Sequence, residues 1–229
     1  WNDKQTLNLS PKYNNQIYTN HNNRTTQTQV GNTQLNENRA TVSNVNRSNF
    51  KLNAIYDVKL DSINSLKFTV KTNFYDTESD EFTNGTTTGN NGLLKNKQEK
   101  SFTTNSDKQS LLASILFKHK FAKARRTFSV NGSWNIFNTN ADNFLKSSNE
   151  SYEEGNFASR VDVDQNKIGE KRTQNLNVNF AYTEPITKKL ALQFAYQVSY
   201  NTGNSDYLTY DYSAATGEYD ILVNSLSNQ

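Results

Sequence analysis

The sequence predicts an all-β protein: an antiparallel up-and-down transmembrane β-barrel, of which this chain supplies seven or eight strands. Three observations predict this fold. Apolar residues recur at every second position in short stripes, the pattern of strands with one apolar face. The stripes are separated alternately by short turns and by long polar stretches. Apolar residues make up only 33% of the chain, so no second apolar layer is available to cover the stripes.

The clearest stripes lie on either side of the short segment TEPITKK, in "LNVNFAYTEPITKKLALQFAYQVSYN" (residues 176–201). Both run without a break, and their partners are mostly Asn, Gln, Ser and Ala. Two such stripes joined by a short turn predict an antiparallel hairpin.

Earlier stripes repeat the arrangement. A weak one over residues 7–13 is interrupted by Pro11. The next two cover residues 50–60, with one break at Ile55, and 66–74, joined by a turn at 61–64. Two more cover residues 111–121 and 128–136, joined by AKARR. A partial eighth strand is predicted over 207–211, before a turn with Gly217 at a positive-φ position. The residues predicted to face lipid are Phe50, Leu52, Tyr56, Val58, Leu66, Phe68, Val70, Leu111, Ile115, Phe117, Phe128, Val130, Trp134, Leu176, Val178, Phe180, Leu190, Leu192, Phe194, Tyr196, Val198 and Tyr200.

Three long polar stretches, residues 20–48, 76–107 and 138–172, are predicted to be extracellular loops. Loops of about thirty residues are uncommon in compact soluble domains. Transmembrane barrels combine long extracellular loops, short periplasmic turns and strands of about ten residues with alternating faces. Lipid would then cover the apolar face, and the polar face would look into a wet or plugged interior.

Composition excludes several classes of protein. The chain has no cysteine, hence no disulfide framework, and its net charge of +3 is too small to indicate a nucleic-acid partner. No apolar run reaches about 18 residues. The chain begins at Trp1 without a signal peptide and ends in NSLSNQ, without a terminal aromatic residue. We therefore expect part of a single outer-membrane barrel domain, with no plug or signal peptide in residues 1–229; the alternative is a complete small barrel of eight strands, which a chain of this length could nearly form.

Two segments resemble one known family. "FKHKFAKARRTFSVNGSWN" (residues 117–135) and "AYTEPITKKLALQFAYQVSYNTGNSD" (residues 181–206) are similar to strands of Bacteroidota outer-membrane β-barrel proteins related to TonB-dependent receptors. TGEYD (residues 216–220) also fits. The resemblance begins near Phe50. It implies a barrel of about 22 strands, a plug domain and energy delivered through TonB. It places the chain in the outer membrane of a Gram-negative bacterium.

No enzyme signature is present: we expect no catalytic residues and no cofactor. Asp162, Asp164 and Asn166 alternate as calcium ligands do, but Lys167 and Thr173 stand where an EF-hand needs Gly and Glu. They form a weak metal candidate. Lys120, Lys123, Arg125 and Arg126 form a basic periplasmic turn, which either docks a partner or anionic headgroups or keeps the turn out of the bilayer.

Three functions stay open. The leading one is uptake or passage of a substrate across the outer membrane. The alternative is a barrel that does not transport and acts as a structural or interaction platform for surface or secretion partners. A soluble Asn/Thr-rich adhesin is the third. The expected partners are outer-membrane lipid, the remainder of the barrel with any plug domain, and TonB or a surface lipoprotein.

Overall fold

The computed structural model describes residues 4–31 and 33–228, without the side chains of Val30 and Thr33, and these residues are almost entirely strand. A single 3-10 turn, Asn224–Leu226, is the one helical element in the described part of the chain. The strands are β1 (Gln5–Val30), β2 (Thr33–Lys59), β3 (Asn64–Gly89), β4 (Leu94–Lys120), β5 (Thr127–Glu153), β6 (Asn156–Pro185), β7 (Ala191–Ser213) and β8 (Glu218–Leu222).

The eight strands form one antiparallel sheet in chain order, from β1 to β8. Each strand pairs with its neighbours in sequence, which is the predicted up-and-down topology. The sheet is open: β1 and β8 are its edge strands, and among the described residues they do not pair with each other. An all-β antiparallel sheet is therefore confirmed, whereas closure into a barrel stays a prediction.

The prediction of three long loops is wrong, because the structure places these stretches in strands. Residues 20–48, 76–107 and 138–172 continue the strands, so that β1 to β7 are 23 to 30 residues long instead of about ten. The backbone ladder continues through these stretches and is supported by cross-strand hydrogen bonds, such as the one from Thr103 Oγ1 to Asp80 Oδ1 (2.7 Å). Apolar alternation could not predict them because both of their faces are polar.

At the ends of the chain, the predicted interruption at Pro11 and the predicted position of the eighth strand are corrected, and the predicted positive φ of Gly217 is confirmed. Pro11 does not interrupt β1, because it lies in an edge strand, where a missing N–H is tolerated. Residues 207–211 belong to β7, and the eighth strand follows the turn at Gly217, whose φ of 77° is positive as predicted. After β8 the chain returns along β7, where Asn228 bridges to Tyr207.

Connections between strands alternate between two ends of the sheet. One end, called here the turn end, holds the connections at 60–63, 121–126 and 186–190. The other, called the tip end, holds those at 90–93, 154–155 and 214–217. The three short turns predicted to lie together do so at the turn end. In the first of them the Asp61 carboxylate accepts hydrogen bonds from the backbone N–H groups of Ile63 (2.8 Å) and Asn64 (2.7 Å).

Candidate functional site

The register of the sheet aligns the apolar stripes of neighbouring strands on one face, called here the band face. Val70 on β3 lies beside Ala54 on β2 and Ala113 on β4. The same row continues to Trp134, Leu176 and Tyr200 on β5, β6 and β7. Rows of this kind stack along the strands, and together they form one continuous apolar band.

Every residue predicted to face lipid lies on the band face except Leu190, which lies in the connection between β6 and β7. Alternate residues of a strand point to opposite sides of a sheet, so shared register fixes a shared face. Ile55, where the alternation breaks, points to the opposite face beside Thr69. Whether the band meets lipid stays a prediction.

The band has the height of a bilayer core. On β3 it extends from Leu66 to Phe74, and Asp76 follows at the next position of the same face. On β7 it extends from Leu192 to Tyr200. Nine residues of strand rise about 30 Å, which becomes about 25 Å when the strand is tilted as in a transmembrane barrel. Aromatic side chains lie at both borders: Phe50 stacks with Phe74 (ring centroids 6.4 Å apart), and Phe128, Tyr182 and Phe194 form a row near the turn end.

The band also crosses the strands at an angle. Its centre is Val70 on β3 and Tyr196 on β7, although the register places Tyr200, not Tyr196, beside Val70. The band therefore drifts by four residues over four strand steps. With a rise of about 3.4 Å per residue and a spacing of about 4.8 Å between strands, this drift corresponds to a tilt of about 35°. Strands of transmembrane barrels are tilted by about 35–45°.

No second layer covers the band. Among the described residues no aliphatic or aromatic side chain other than Pro185 is buried, and large band residues such as Phe194 and Tyr200 are more than 60% exposed. No other part of the described chain packs on this regular apolar surface to form a core with it. Such a surface on a soluble monomer would exceed the patch size that water tolerates.

The opposite face is polar and more enclosed. Along β3 from Phe74 to Thr86, every band-face residue is exposed and every residue of the opposite face is half-buried or buried. A single layer shows this difference when it curves, with the band on its convex side. The opposite face is therefore the concave side of the sheet.

Charge is divided between the two faces. Between the irregularities near the tips, the opposite face of β1 to β7 carries fourteen bases and four acids, whereas the band face carries four bases and twelve acids. The acids of the band face lie beyond the band. The bases of the opposite face are Lys12, Arg24, Arg39, Arg47, Lys51, Lys59, Lys67, Lys71, Lys100, Lys108, Lys118, Lys120, Lys167 and Lys171, and its acids are Glu37, Asp57, Glu81 and Asp211. The acids of the band face are Asp76, Glu78, Asp80, Glu99, Asp107, Asp142, Glu150, Asp162, Asp164, Glu170, Glu184 and Asp206, and its bases are Lys97, Lys146, Arg160 and Arg172.

At the turn end, one carboxylate gathers the predicted basic turn. Glu184, near the end of β6, accepts two hydrogen bonds from the Arg126 guanidinium (2.7 and 2.8 Å), one from Lys123 Nζ and one from the Tyr182 hydroxyl (2.6 Å). Arg125, at a positive φ of 69°, donates to the carbonyl of Lys188 (2.6 Å). These contacts lock the turn at 121–126 to the turn at 186–190.

This cluster, called here the turn cluster, gives a structural reason for two sequence motifs. AKARR supplies the cations, and YTEP supplies the tyrosine and the acid. Glu184 was missed as a site residue because its partners lie on another connection. The order of the strands predicts this contact, because the end of β6, with Glu184, lies beside the start of β5, which follows the basic turn. Lys120 belongs to the opposite face, and a periplasmic position for the turn stays a prediction.

The turn cluster predicts a pH dependence. The hydrogen bonds from Arg126 first, then from Lys123 and Tyr182, hold the pKa of Glu184 at about 2, below its ordinary 4.5. Because the folded state favours the ionised form, this contribution to stability is complete above about pH 4.5 and is lost as pH falls towards 2. We expect Glu184→Gln to lower the urea midpoint of the detergent-folded chain at pH 6, and to match the wild type near pH 2.

Glu170→Gln is the control for this prediction. Glu170 lies on the same strand and face, but no base lies within ion-pair distance of it in the described residues. We expect its midpoint to follow the wild type at both pH values. A gap between Glu184→Gln and the wild type that stayed constant down to pH 2 would contradict the assigned pKa.

The weak metal candidate has another explanation. Asp162, Asp164 and Asn166 lie in β6, not in a loop, and each has a partner: Asp162 pairs with Arg160 (2.8 Å), Asp164 accepts from the Tyr219 hydroxyl (2.7 Å), and Asn166 donates to Asp142. Their alternation is that of a strand, with acids on the band face and valines on the other. No cluster of three or more His, Cys, Asp or Glu suited to a metal occurs in residues 4–31 and 33–228.

Comparison with known proteins gives no family assignment. No protein-family model matches the chain, and no curated protein matches it.

The described residues contain no helix with the length and apolar character needed to cross a membrane.

Proposed function

We propose that this chain is part of an outer-membrane β-barrel, similar to those of TonB-dependent receptors, through which a substrate passes. The observation that carries the proposal is the slanted apolar band. A slab of lipid cut by tilted strands selects apolar residues at positions that drift from strand to strand, and here the drift is about one residue per strand from β3 to β7. A soluble sandwich needs a covering layer instead, and no drift of this size is required of it.

Passage is favoured by the opposite face. It is mostly polar at the level of the band, although Ile55, Leu112 and Leu116 also lie there, and along β3 from Phe74 to Thr86 it is the more enclosed side, as the wall of an aqueous interior would be. A barrel that serves only as a platform needs no such wall. The long hairpins, which extend about 45 Å beyond the band at the tip end, would stand outside the membrane and restrict entry.

Cysteine accessibility tests the membrane assignment. Because the chain has no cysteine, each introduced one is a unique labelling site. Spin labels at Leu176→Cys and Val178→Cys should collide with oxygen in vesicles, and those at Asn175→Cys and Asn177→Cys with a water-soluble nickel complex. Equal accessibility at all four positions would contradict a membrane-embedded band.

Solute efflux separates passage from the platform alternative. Because the described sheet is open, the test uses the complete barrel that contains this chain: vesicles holding that barrel and loaded with a small solute are expected to release it, whereas a platform barrel would insert, as judged by the same spin labels, without release. Insertion without release would therefore favour the platform.

A further inference from the structure

The bases of the opposite face are concentrated on one half of the sheet. Of the fourteen, two lie on β1, four on β2, two on β3, four on β4 and two on β6, and β5 and β7 carry none within the described ladder. The acids of this face on β1 to β4 are Glu37, Asp57 and Glu81, and each already pairs with one base of the same face. Twelve bases against three acids give this part of the face, called here the basic half, a net charge of +9.

Two grooves of the basic half follow one another along the strands. The central groove has a volume of about 400 Å³, lies at the level of the band and is lined by Lys51 and Lys71. The turn-end groove has a volume of about 360 Å³ and is lined by four lysines and one aspartate, namely Lys4, Lys59, Lys67, Lys118 and Asp57. Both volumes lie within the range of small-ligand clefts, and in both grooves the cations outnumber the anions.

The ammonium groups of the two grooves are within reach of a solute. Lys51 and Lys71 in the central groove, and Lys59 and Lys118 in the turn-end groove, are exposed. No acid lies within ion-pair distance of any of these four lysines among the described residues. Their charges are therefore available to an anion, which would not have to displace a local carboxylate.

Like charges lie side by side at both grooves. Lys12 is directly opposite Lys51 across β1 and β2. At the turn-end groove the backbone N–H of Lys59 donates to the carbonyl of Lys4 (2.8 Å), which places these two lysines beside each other. Like charges at directly opposed positions destabilise a sheet, so the arrangement does not serve stability. An anion between such side chains would remove the repulsion.

The basic half is suited to select solutes by charge. A concave surface lined by one sign of charge focuses its field and concentrates solutes of the other sign. Rings of lysine and arginine make pores selective for anions in the same way. A lysine ammonium is a point charge with rotatable donors, so it binds carboxylate and phosphate groups alike and imposes no fixed geometry on either.

We propose that the basic half makes the passage selective for anions, and that small solutes with two or more negative charges bind in the central and turn-end grooves. Each groove contains at least two lysines, so a second negative charge on the solute finds a second cation in the same groove. The inference rests on the proposed function, because it takes the opposite face to be the wall of the passage.

Reaction of an introduced cysteine with charged reagents tests the inference in the complete barrel that contains this chain, after any cysteine outside the chain is replaced by serine. Ser10→Cys lies in the central groove, and Asn140→Cys lies on the band face between Asp107 and Glu170. The measured quantity is the rate with a sulfonate-bearing thiosulfonate over the rate with a trimethylammonium-bearing one, each divided by its rate with the urea-unfolded protein. We expect a ratio of at least about five at Ser10→Cys, falling as salt is added, and of one or below at Asn140→Cys. A ratio of one or below at Ser10→Cys would overturn the inference.

A matched pair of double variants, made with Ser10→Cys, locates the source of the selectivity. Lys51→Gln with Lys71→Gln should lower the ratio at least about threefold. Lys97→Gln with Lys146→Gln removes the same charge from the band face and should leave the ratio unchanged. Equal reductions in both double variants would show only a general field effect and overturn the role of the central groove.

Competition by dicarboxylates tests the preference for more than one charge. Succinate should slow the reaction of the sulfonate reagent at Ser10→Cys at about a tenfold lower concentration than acetate does at the same ionic strength, because it can engage two lysines. Equal potency of succinate and acetate would overturn binding of divalent anions in the groove.

Failure of this inference is distinguishable from failure of the proposed function. The reversal potential of the complete barrel in a planar bilayer, under a gradient of potassium chloride, gives the sign of the ion that passes, and we expect chloride to be preferred. A current that prefers potassium would overturn the inference and leave passage intact. If the barrel carries no current, the proposed function fails, and the inference that rests on it fails with it.

Discussion

Replacing Val178 by arginine is expected to lower the free energy of unfolding in lipid vesicles by about 2–4 kcal/mol. Val178 lies near the middle of the band on β6, between Gly132 on β5 and Val198 on β7. An arginine there would have to leave its charge in hydrocarbon or distort the bilayer to hydrate it. Val70→Arg, at the centre of the band on β3, should cost a similar amount.

The neighbouring residue supplies the control. Asn177 lies on the opposite face, beside Ser133 and Ser199, so Asn177→Arg introduces the same charge on the polar side of the same strand. We expect it to change the free energy of unfolding by less than about 0.5 kcal/mol. Guanidinium titrations of vesicle-folded protein measure both. Comparable losses for Val178→Arg and Asn177→Arg would contradict the assignment of the faces.

The apolar band was predictable from the sequence because a single physical demand produces it. A strand with one apolar and one polar face presents an apolar residue at every second position. Leu176, Val178 and Phe180 show this pattern in the sequence, without any tertiary information. Register then needs only the topology, since short turns fix which residues lie side by side. Prediction of the faces therefore required no knowledge of other proteins.

The outer halves of the strands were not predictable by the same signal, but another was present. Asp76, Glu78 and Asp80 alternate with Thr and Ser, and they continue the face of Phe74. Beyond Phe74 the apolar residues no longer alternate, but the charged residues still recur at every second position. In β6 the same alternation, in VDVD, resembles a pattern of calcium ligands when its oxygens are considered alone. A search for charged residues at every second position would therefore predict the full length of these strands.

The charge segregation depends on several strands at once and is weak in any one of them. β1 and β2 carry no Asp, Glu, Lys or Arg on the band face within the described ladder, and β5 carries none on the opposite face up to its bulge. Only the aligned register adds the lysines of β2, β3 and β4 into one surface. The charged residues can therefore be read from the sequence, whereas the net charge of each face can be calculated only once the pairing of the strands is known.

The chain is expected not to exist as a compact monomer in water. Two edges of the sheet remain unpaired among the described residues. One is the outer side of β1, and the other is formed by β8 and, over residues 191–206, by the side of β7 that faces away from β6. Unpaired edges recruit further strands. The band covers roughly 1,000 Å², from seven strands about 4.8 Å apart and about 30 Å of band along each strand, and soluble monomers rarely expose apolar patches beyond a few hundred Å².

Nothing in the described residues can cover this surface. The aromatic side chains near the tip end, such as Phe144 with Tyr219 (ring centroids 5.5 Å apart) and Tyr152 with Phe157, pack against one another above the band and not on it. Folding back the hairpins would break the ladder that holds them. Lipid, detergent or further protein must therefore cover the band.

Sedimentation velocity of residues 1–229 without detergent provides the measurement. We expect polydisperse aggregates, and a single micelle-bound species once a non-ionic detergent is added above its critical concentration. Arginine at both Val70 and Val178 interrupts the apolar surface at two central positions, so the double variant should aggregate less in water while failing to fold in micelles. A sharp monomeric boundary for the wild type in water, with a cooperative thermal transition, would contradict the membrane assignment and favour a soluble Asn/Thr-rich adhesin, because only a folded chain that hides its band could behave in that way.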